Sequence, residues 1–266
     1  MFSNHLYVAL QAAREAGALI KERFGTRLEI NQKDGGRDFV TEVDRQAQNV
    51  IAFILSGKFP EHLIIGEEDD ELDSELGSLA DLQPDQYAWV VDPLDGTSNY
   101  IRNIPNYSVS ITLVQGQDLK VGVIYIPQND EIFYAEPGKG AWRNGKPIHV
   151  ADNPNVASSM LGAGVPVLDE KERQEMMKIL SKVAPKCLSM RMSGSSSSSL
   201  AYVACGRFSA LFESGMHPWD ILAGALLVTE AGGKVSNFSG GDFLVTSSDI
   251  LASNGQVHGE LLEYLK

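Results

Sequence analysis

The chain has 266 residues, of which 43% are hydrophobic, so it can bury a substantial core in one large domain or in two closely joined halves. Its formal net charge of −13 disfavours nucleic acid as a partner, because phosphate backbones repel an acidic surface. The first residues lack a basic segment followed by an apolar one, and no run approaches the roughly 18 apolar residues of a membrane span. We therefore expect a cytoplasmic protein without a signal peptide or a membrane partner.

The first 60 residues predict two helices. Ser3 is placed to cap the first helix, and Thr41 with Asp44 forms a capping-box-like start to the second. Asp44 therefore has a structural role beside any functional one. Both segments carry an apolar stripe at helical spacing. The stripe is Leu6, Ala9, Leu10, Ala13, Gly17, Ile20 and Phe24 in the first helix, and Val43, Ala47, Val50, Ile51, Ile54 and Leu55 in the second.

Two predicted strand ends carry carboxylates. The apolar run 62–65 ends in Gly66-Glu67-Glu68, and the run 87–91 ends in Asp92-Pro93-Leu94-Asp95-Gly96-Thr97. Pro93 has no N–H to donate, so we expect it to end the second strand. Carboxylate oxygens suit Mg²⁺, and bare N–H groups beside a glycine suit phosphate oxygens. The alternative is an ordinary polar turn. Between the two runs, the acidic stretch 69–86 predicts a solvated loop.

The middle of the chain predicts three strands, near 106–115, 119–127 and 131–136, with a turn at Asn129-Asp130. A hairpin turn is expected at Asn144-Gly145. We place a division here, giving an N-terminal half of residues 1–145 and a C-terminal half of residues 146–266.

The second half alternates helices and strands. Asp169 is predicted to cap a helix that continues through Leu180, and the serine run Ser195–Ser199 to start another, since an apolar segment follows it directly. Asp220 lies at the start of a third helix, where an aspartate is ordinarily a cap or a partner of the helix dipole. Cys187 and Cys205 fit neither a disulfide framework nor a zinc site, and we expect them to be buried and inert.

Four of these carboxylates could converge in the folded chain. Glu67 and Asp92 follow predicted strands, Asp95 lies in the same turn as Asp92, and Asp220 begins a helix. Two such charges about 4 Å apart repel by roughly 4 kcal/mol at an effective dielectric constant near 20. A convergent cluster is therefore tolerable only with cations, and two metal ions about 3.5–4 Å apart are a standard device for attack on phosphorus.

Four motifs in this order resemble the inositol monophosphatase family. They are the segment from Asp38 to Asp44 with Lys33 ahead of it, Gly66-Glu67-Glu68, the segment from Trp89 to Tyr100, and the segment from Trp219 to Gly233. The resemblance covers nearly the whole chain. It implies an α/β fold layered in αβαβα order, as in the sugar phosphatases, and a homodimer. Two departures are the serine run after Gly194, where the family usually has Gly-Ser and then small residues, and Ser209, where it often has an acidic residue.

The resemblance also implies a ligand set for two Mg²⁺ ions. Glu67, Asp92 and the carbonyl of Leu94 would bind one ion, and Asp92, Asp95 and Asp220 the other, while a third and weaker ion would bind near Glu67 through water. Asp92 bridges the two ions in this scheme.

For catalysis, the resemblance implies that metal-bound water, oriented by Glu67 and Thr97, attacks phosphorus, with Asp44 as a partner of that water. The backbone N–H groups of Gly96 and Thr97 would hold the phosphate beside Asp95. Glu213, Asp220 and the Gly194-Ser195-Ser196 turn would meet the alcohol. The alternative for Glu213 is a surface carboxylate that does not contact the substrate. Arg191 is either a substrate contact or a dimer-interface residue, and His217 is expected to pack or cap.

The implied reaction is Mg²⁺-dependent hydrolysis of inositol 1-phosphate, inhibited by lithium. Related phosphatases act on 3′-phosphoadenosine 5′-phosphate, fructose 1,6-bisphosphate or histidinol phosphate. The segments Ser98-Asn99-Tyr100 and Val109-Ser110-Ile111, with Pro105 between them, favour the inositol branch. A non-catalytic binding or regulatory protein on the same fold is the alternative from another class. Every expected metal ligand is present, which favours the enzyme.

Overall fold

The computed structural model describes residues 1–32, 39–69, 79–166 and 170–265. Lys33, Asp38, Asp169 and residues 70–78 of the acidic stretch predicted as a loop lie outside these ranges. The longer helices are α1 (Asn4–Arg23), α2 (Glu42–Lys58), α4 (Glu170–Val183), α5 (Ser196–Ala204), α6 (Pro218–Glu230) and α7 (His258–Leu265), and a single turn forms α3 (Thr97–Ile101).

Fourteen strands are found in the described residues, and twelve of them form two large sheets. The strands of the first half are β1 (Ile30–Gln32), β2 (Phe39–Thr41), β3 (Leu63–Gly66), β4 (Tyr87–Asp95), β5 (Ser108–Gln115), β6 (Asp118–Ile126), β7 (Glu131–Ala135), β8 (Ala141–Arg143) and β9 (Lys146–Ile148). Those of the second half are β10 (Met160–Ala163), β11 (Ser189–Arg191), β12 (Ala210–Ser214), β13 (Lys234–Ser236) and β14 (Asp249–Ser253). One sheet has the order β3-β4-β5-β6-β7-β8-β9, and the other the order β11-β10-β12-β14-β13.

The elements stack in five layers. Helices α1 and α2 pack together on one face of the seven-stranded sheet, and α5 and α6 lie between the two sheets. Helices α4 and α7 cover the outer face of the five-stranded sheet. This is the predicted αβαβα order. The fold class is therefore confirmed.

The outer helices form where the sequence predicts them. Ser3 accepts a hydrogen bond from the N–H of Leu6 at 3.2 Å and caps α1, and Thr41 and Asp44 form the capping box of α2. The small residues of α1 allow a close approach to the sheet, since a Cβ on Gly17 would lie 2.4 Å from the ring of Tyr125. Helix α1 therefore packs closely against strand β6 as well as against α2.

Strand β4 corrects one expectation, because it does not end at Pro93. Its antiparallel pairing with β5 is regular up to Asp92, breaks at a bulge, and resumes where Asp95 faces Ser108. The N–H of Leu94 donates to Asp92 Oδ1 at 2.9 Å and Pro93 has no N–H, so neither residue needs an acceptor in β5 at the bulge. The strand therefore carries both Asp92 and Asp95.

The structure can also be compared with the predicted hairpin turn, the predicted cysteine burial and the predicted division of the chain. The hairpin between β8 and β9 turns at Asn144 and Gly145, both with positive φ, as predicted. Cys187 and Cys205 are free thiols, but they are half-buried rather than fully buried. The seven-stranded sheet ends at Ile148 and the five-stranded sheet begins at Met160, and the division after residue 145 stays a prediction.

Candidate active site

A cleft of about 830 Å³ opens where the end of β4 meets the first turns of α3, α5 and α6 and the end of β12. Its lining brings together side chains that are up to 181 residues apart, from Glu67 to Ser248. Among the described residues that line it, six are acidic and none is lysine or arginine. The acidic residues are Glu67, Asp92, Asp95, Glu172, Glu213 and Asp220.

Three of these carboxylates form a compact cluster. Oxygen atoms of Asp92, Asp95 and Asp220 all lie within 4.8 Å of one another. Asp92 and Asp95 are both fixed by β4, one on each side of its bulge, and Asp220 is fixed in the first turn of α6, where its Oδ2 accepts from the N–H of His217 at 2.8 Å. Asp220 therefore has the capping role expected from the sequence and also contributes to the cluster.

Glu67 joins the cluster from the neighbouring strand. Its N–H donates to the carbonyl of Val91 at 3.0 Å, which places it beside Asp92 immediately after β3. Burial and then the charges of Glu67, Asp95 and Asp220 raise the pKa of Asp92 well above its ordinary value. Burial and then the charges of Asp95 and Glu67 raise the pKa of Asp220 as well.

The cluster fits a divalent metal. Like charges this close and largely buried are unfavourable, and the described lining offers no lysine or arginine to neutralise them. The donor set is made of carboxylate oxygens, which hard cations such as Mg²⁺ prefer. Leu94, whose carbonyl was predicted as a further ligand, is fully buried in the bulge between Asp92 and Asp95, and this carbonyl accepts from Thr97 Oγ1 at 3.0 Å.

Asp44 and Thr97 form a hydrogen-bonded network on the side of the cleft next to α2. Thr97 Oγ1 lies 3.0 Å from Asp44 Oδ1, and Asp44 Oδ2 accepts from the N–H of Thr41 at 2.9 Å and from its hydroxyl at 2.5 Å. Burial outweighs these hydrogen bonds and raises the pKa of Asp44 to about 6. Asp44 thus completes the capping box with one oxygen and contacts Thr97 with the other.

Gly96 forms a tight turn at the entrance to α3. Its φ is +95°, and a Cβ there would lie 3.1 Å from the carbonyl oxygens of both Asn106 and Gly194. Asn99 braces the same turn, because its side-chain amide donates to the carbonyls of Asn106 and Ser193 at 2.8 Å each. The loop that carries Gly194 is therefore held against the Gly96-Thr97 turn.

Glu213 lies in the wall of the cleft that the second half supplies. It is buried at the end of β12, which excludes the surface position considered as its alternative. Its Oε2 has no hydrogen-bond partner among the described residues, and burial raises the pKa of Glu213 to about 7 despite a hydrogen bond from Ser196. Gly164 makes room for it, since a Cβ there would lie 2.4 Å from Glu213 Oε1.

Arg191 and His217 differ in their relation to the cleft. Arg191 lies at the exposed end of the edge strand β11, where its guanidinium donates to the carbonyl of Met190 at 2.9 Å, and it is not part of the lining. His217 does line the cleft and stacks on Trp219 with ring centroids 4.7 Å apart. It is also the residue that precedes α6, in agreement with the expected packing and capping role.

Sequence analysis missed two kinds of residue. Ser108 and Ser197 contact Asp95 directly, and Asn99 ties the two loops together. The signal for Ser108 was available, because Ser108, Ser110 and Thr112 alternate along a strand that is otherwise apolar and buried. Nothing in the sequence marks the distant partner of each hydroxyl.

The model of the inositol monophosphatase family matches residues 2–266 of this chain. The chain belongs to the inositol monophosphatase family. A relative, the Nus factor SuhB of Escherichia coli K12, is 38% identical over 263 residues, which cover 98% of this chain and 95% of that protein.

Two solved structures share the family fold over almost their whole lengths. The extragenic suppressor protein suhB of Bartonella henselae is 33% identical with a TM-score of 0.90, and 99% of each chain is covered. The inositol monophosphatase of Anabaena sp. PCC 7120 is 35% identical with a TM-score of 0.84, and the match covers 98% of this chain and 94% of that one. Within the described residues of the present chain, no helix is long and apolar enough to cross a membrane.

Proposed function

We propose that this protein is a Mg²⁺-dependent phosphomonoesterase that hydrolyses inositol 1-phosphate to inositol and phosphate. The observation that carries the proposal is the cluster of Asp92, Asp95 and Asp220, which lies beside Glu67 and the Gly96 turn in one cleft. An anionic substrate cannot approach so acidic a site unless cations are bound there. Acidic ligands and a glycine turn that presents N–H groups together suit a metal ion and a phosphate side by side.

In this proposal Glu67, Asp92, Asp95 and Asp220, with the Leu94 carbonyl, hold the Mg²⁺ ions. Bound there, the metal would supply Lewis-acid stabilisation of the phosphoryl charge and lower the pKa of a bound water. The Gly96 and Thr97 N–H groups orient the phosphate. The described lining presents six carboxylates and no lysine or arginine to the substrate, so charge neutralisation is the requirement that the metal would meet.

Thr97 and Asp44 are proposed to handle the proton of the attacking water. The Thr97 hydroxyl contacts Asp44 Oδ1 at 3.0 Å, so a proton received at Thr97 can be passed to Asp44. A pKa of about 6 leaves Asp44 mostly ionised at pH 7 and still basic enough to accept that proton. Glu67 lines the same cleft, where it can orient water toward the phosphate.

The alcohol part of the substrate is proposed to bind at Glu213, with the Gly194-Ser195-Ser196 turn beside it. A buried carboxylate oxygen without a partner is an acceptor suited to a sugar hydroxyl, since the ligand would satisfy an otherwise unpaired group. The Anabaena relative, which is named an inositol monophosphatase, supports inositol phosphate as the alcohol component. Phosphatase activity on a related sugar or nucleotide phosphate is the alternative that the same cleft permits.

The relatives named Nus factor bear a name that states no hydrolytic activity. In this chain the complete set of acidic residues favours catalysis, because a purely structural protein would gain stability by losing buried charges. Activity is therefore the first property to test.

Phosphate release from purified protein tests the proposal. We expect turnover of inositol 1-phosphate in Mg²⁺ and none in EDTA, and slower turnover of 3′-phosphoadenosine 5′-phosphate, fructose 1,6-bisphosphate and histidinol phosphate. Full activity of metal-stripped protein would refute the metal requirement. A faster rate on one of the other three substrates would retain the phosphatase and replace its substrate.

Glu213→Gln tests the alcohol site in the same assay. Loss of a hydrogen bond to a charged acceptor costs roughly 1.5–3 kcal/mol, so efficiency on inositol 1-phosphate should fall much more than efficiency on p-nitrophenyl phosphate, which has no ring hydroxyls. Asp118→Asn, at an exposed carboxylate outside the cleft, is the matched control and should change neither rate. Equal losses on both substrates would remove Glu213 from the alcohol site.

A further inference from the structure

Three buried serine hydroxyls contact one oxygen of Asp95, and a fourth joins two of them. Ser195 Oγ lies 2.6 Å and Ser197 Oγ 2.5 Å from Asp95 Oδ2, and Ser108 Oγ lies 3.3 Å away. Ser198 Oγ completes the group, 2.7 Å from Ser195 Oγ and 2.9 Å from Ser108 Oγ. All four serines are at most 3% exposed. We call Ser108, Ser195, Ser197 and Ser198 the serine cluster.

The two oxygens of Asp95 accept different numbers of hydrogen bonds from the serine cluster and the start of α5. Oδ2 also accepts from the N–H of Ser197 at 2.9 Å, whereas the other contact of the carboxylate is a long one, from the N–H of Ser196 to Oδ1 at 3.3 Å. An ionised carboxylate oxygen has about two lone-pair positions, so Oδ2 is saturated by protein donors. Oδ1 keeps the capacity to bind something in the cleft.

The proton count supports the same orientation. Each hydroxyl has one proton and a carboxylate can only accept, so the protons of Ser195 and Ser197 point at Asp95. Ser108 and Ser198 extend this chain of hydroxyls, because Ser198 donates to Ser108 Oγ at 2.9 Å and Ser108 Oγ lies 2.8 Å from Ser197 Oγ. A proton donated by Ser108 to Ser197 thus holds the Ser197 hydroxyl in the orientation that donates to Asp95.

We propose that Ser197 and Ser198 are positioning residues, which fix the carboxylate of Asp95 so that Oδ1 alone is presented to the divalent cation. The inference rests on the proposed function, since it assigns Asp95 to the metal. Outer groups that orient a ligand typically change metal affinity or activity by about 10–100-fold when they are removed.

The neighbouring Ser199 provides a matched control. It is also buried in α5, but its hydroxyl contacts the carbonyl of Ser195 at 2.8 Å and Ser193 Oγ at 2.5 Å, and not Asp95. Ser199→Ala therefore removes a buried hydroxyl from the same helix without removing a donor to the carboxylate. Any general effect of such a loss on the helix is common to Ser197→Ala and Ser199→Ala.

The experiment measures the Kd of Mn²⁺ as a Mg²⁺ substitute by calorimetry, together with kcat and KM on inositol 1-phosphate and the unfolding midpoint in EDTA. We expect the Kd to rise about tenfold in Ser197→Ala, less in Ser198→Ala, and less than twofold in Ser199→Ala. KM should change little, since the alcohol site is intact, while the Mg²⁺ concentration for half-maximal rate should rise with the Kd.

Different experimental results would refute the positioning role and the proposed function. A wild-type protein that hydrolyses phosphomonoesters and binds Mn²⁺, with a Kd that Ser197→Ala leaves unchanged, would overturn the positioning role alone. Equal increases of Kd in Ser197→Ala and Ser199→Ala would also overturn it, because they would show a general effect on α5. A wild-type protein that binds no divalent cation would overturn the proposed function and this inference together.

Discussion

Glu213 should make the metal-free protein less stable as the pH rises, and Glu213→Gln should remove that dependence. The pKa of this buried group is raised from the ordinary 4.5 to about 7. Because the folded-state pKa is the higher one, its contribution to stability is fully present below pH 4.5 and is lost as the pH rises through 7. When the group is ionised in both states, a difference of this size corresponds to about 3 kcal/mol.

The assay is urea unfolding in EDTA at pH 5 and pH 8, for the wild type and for Glu213→Gln. Between these two pH values the single group should lower the wild-type free energy of unfolding by about 2–3 kcal/mol, and the Gln variant should lack this decrease. His258 acts in the opposite direction, since burial lowers its pKa to about 4 and stability is lost as the pH falls below 6.5. That contribution is the same in both proteins, so the difference between their pH dependences isolates Glu213.

The absolute stability of the variant is not the test, because a buried amide also needs partners. Identical pH dependences of the two proteins would refute the reasoning, since they would mean that Glu213 is hydrated and titrates normally. A pH dependence that disappears only when Mg²⁺ is added would instead point to the metal ligands as its source.

Three further substitutions test the site and the fold. Asp92→Asn should lower turnover at least tenfold, equivalent to ~1.4 kcal/mol of barrier. Its unfolding midpoint in EDTA should be equal to or higher than that of the wild type, because like-charge repulsion is relieved. A rate above a tenth of wild type would contradict the role of Asp92 at the metal. Gly96→Ala should destabilise the protein by about 1–3 kcal/mol and slow phosphate release. The control is Gly145→Ala, which should lower stability alone, because Gly145 has a φ of +77° but no atom lies within 4 Å of the added Cβ. Equal kinetic effects of the two substitutions would show that the contacts at Gly96 are unimportant. Ser3→Ala should lower the free energy of unfolding by about 1 kcal/mol, as measured in urea, because the N–H of Leu6 loses its cap; a change within experimental error would mean that water replaces the hydroxyl fully.

The sequence by itself determined features that depend on near neighbours. The caps at Ser3 and Thr41 and the Asn144-Gly145 turn follow from hydrogen bonds and φ values within a few residues, and all three are found where predicted. The order of the acidic motifs also identified the family, because metal and phosphate chemistry restricts residue types at fixed spacing. The five-layer fold came with that resemblance rather than from the local patterns.

Tertiary structure decided everything that needs a distant partner. Pro93 locally favours a strand end, because proline has no N–H to donate. The strand nevertheless continues, because Asp92 accepts from the N–H of Leu94 and β5 pairs again with Asp95. Glu213 lies near the end of a strand, as many surface residues do, and only packing across the cleft buries it and raises its pKa. The serines after Gly194 form a helix start by local rules, but their hydroxyls acquire a common acceptor only when α5 meets β4, since burial leaves them no water to bind.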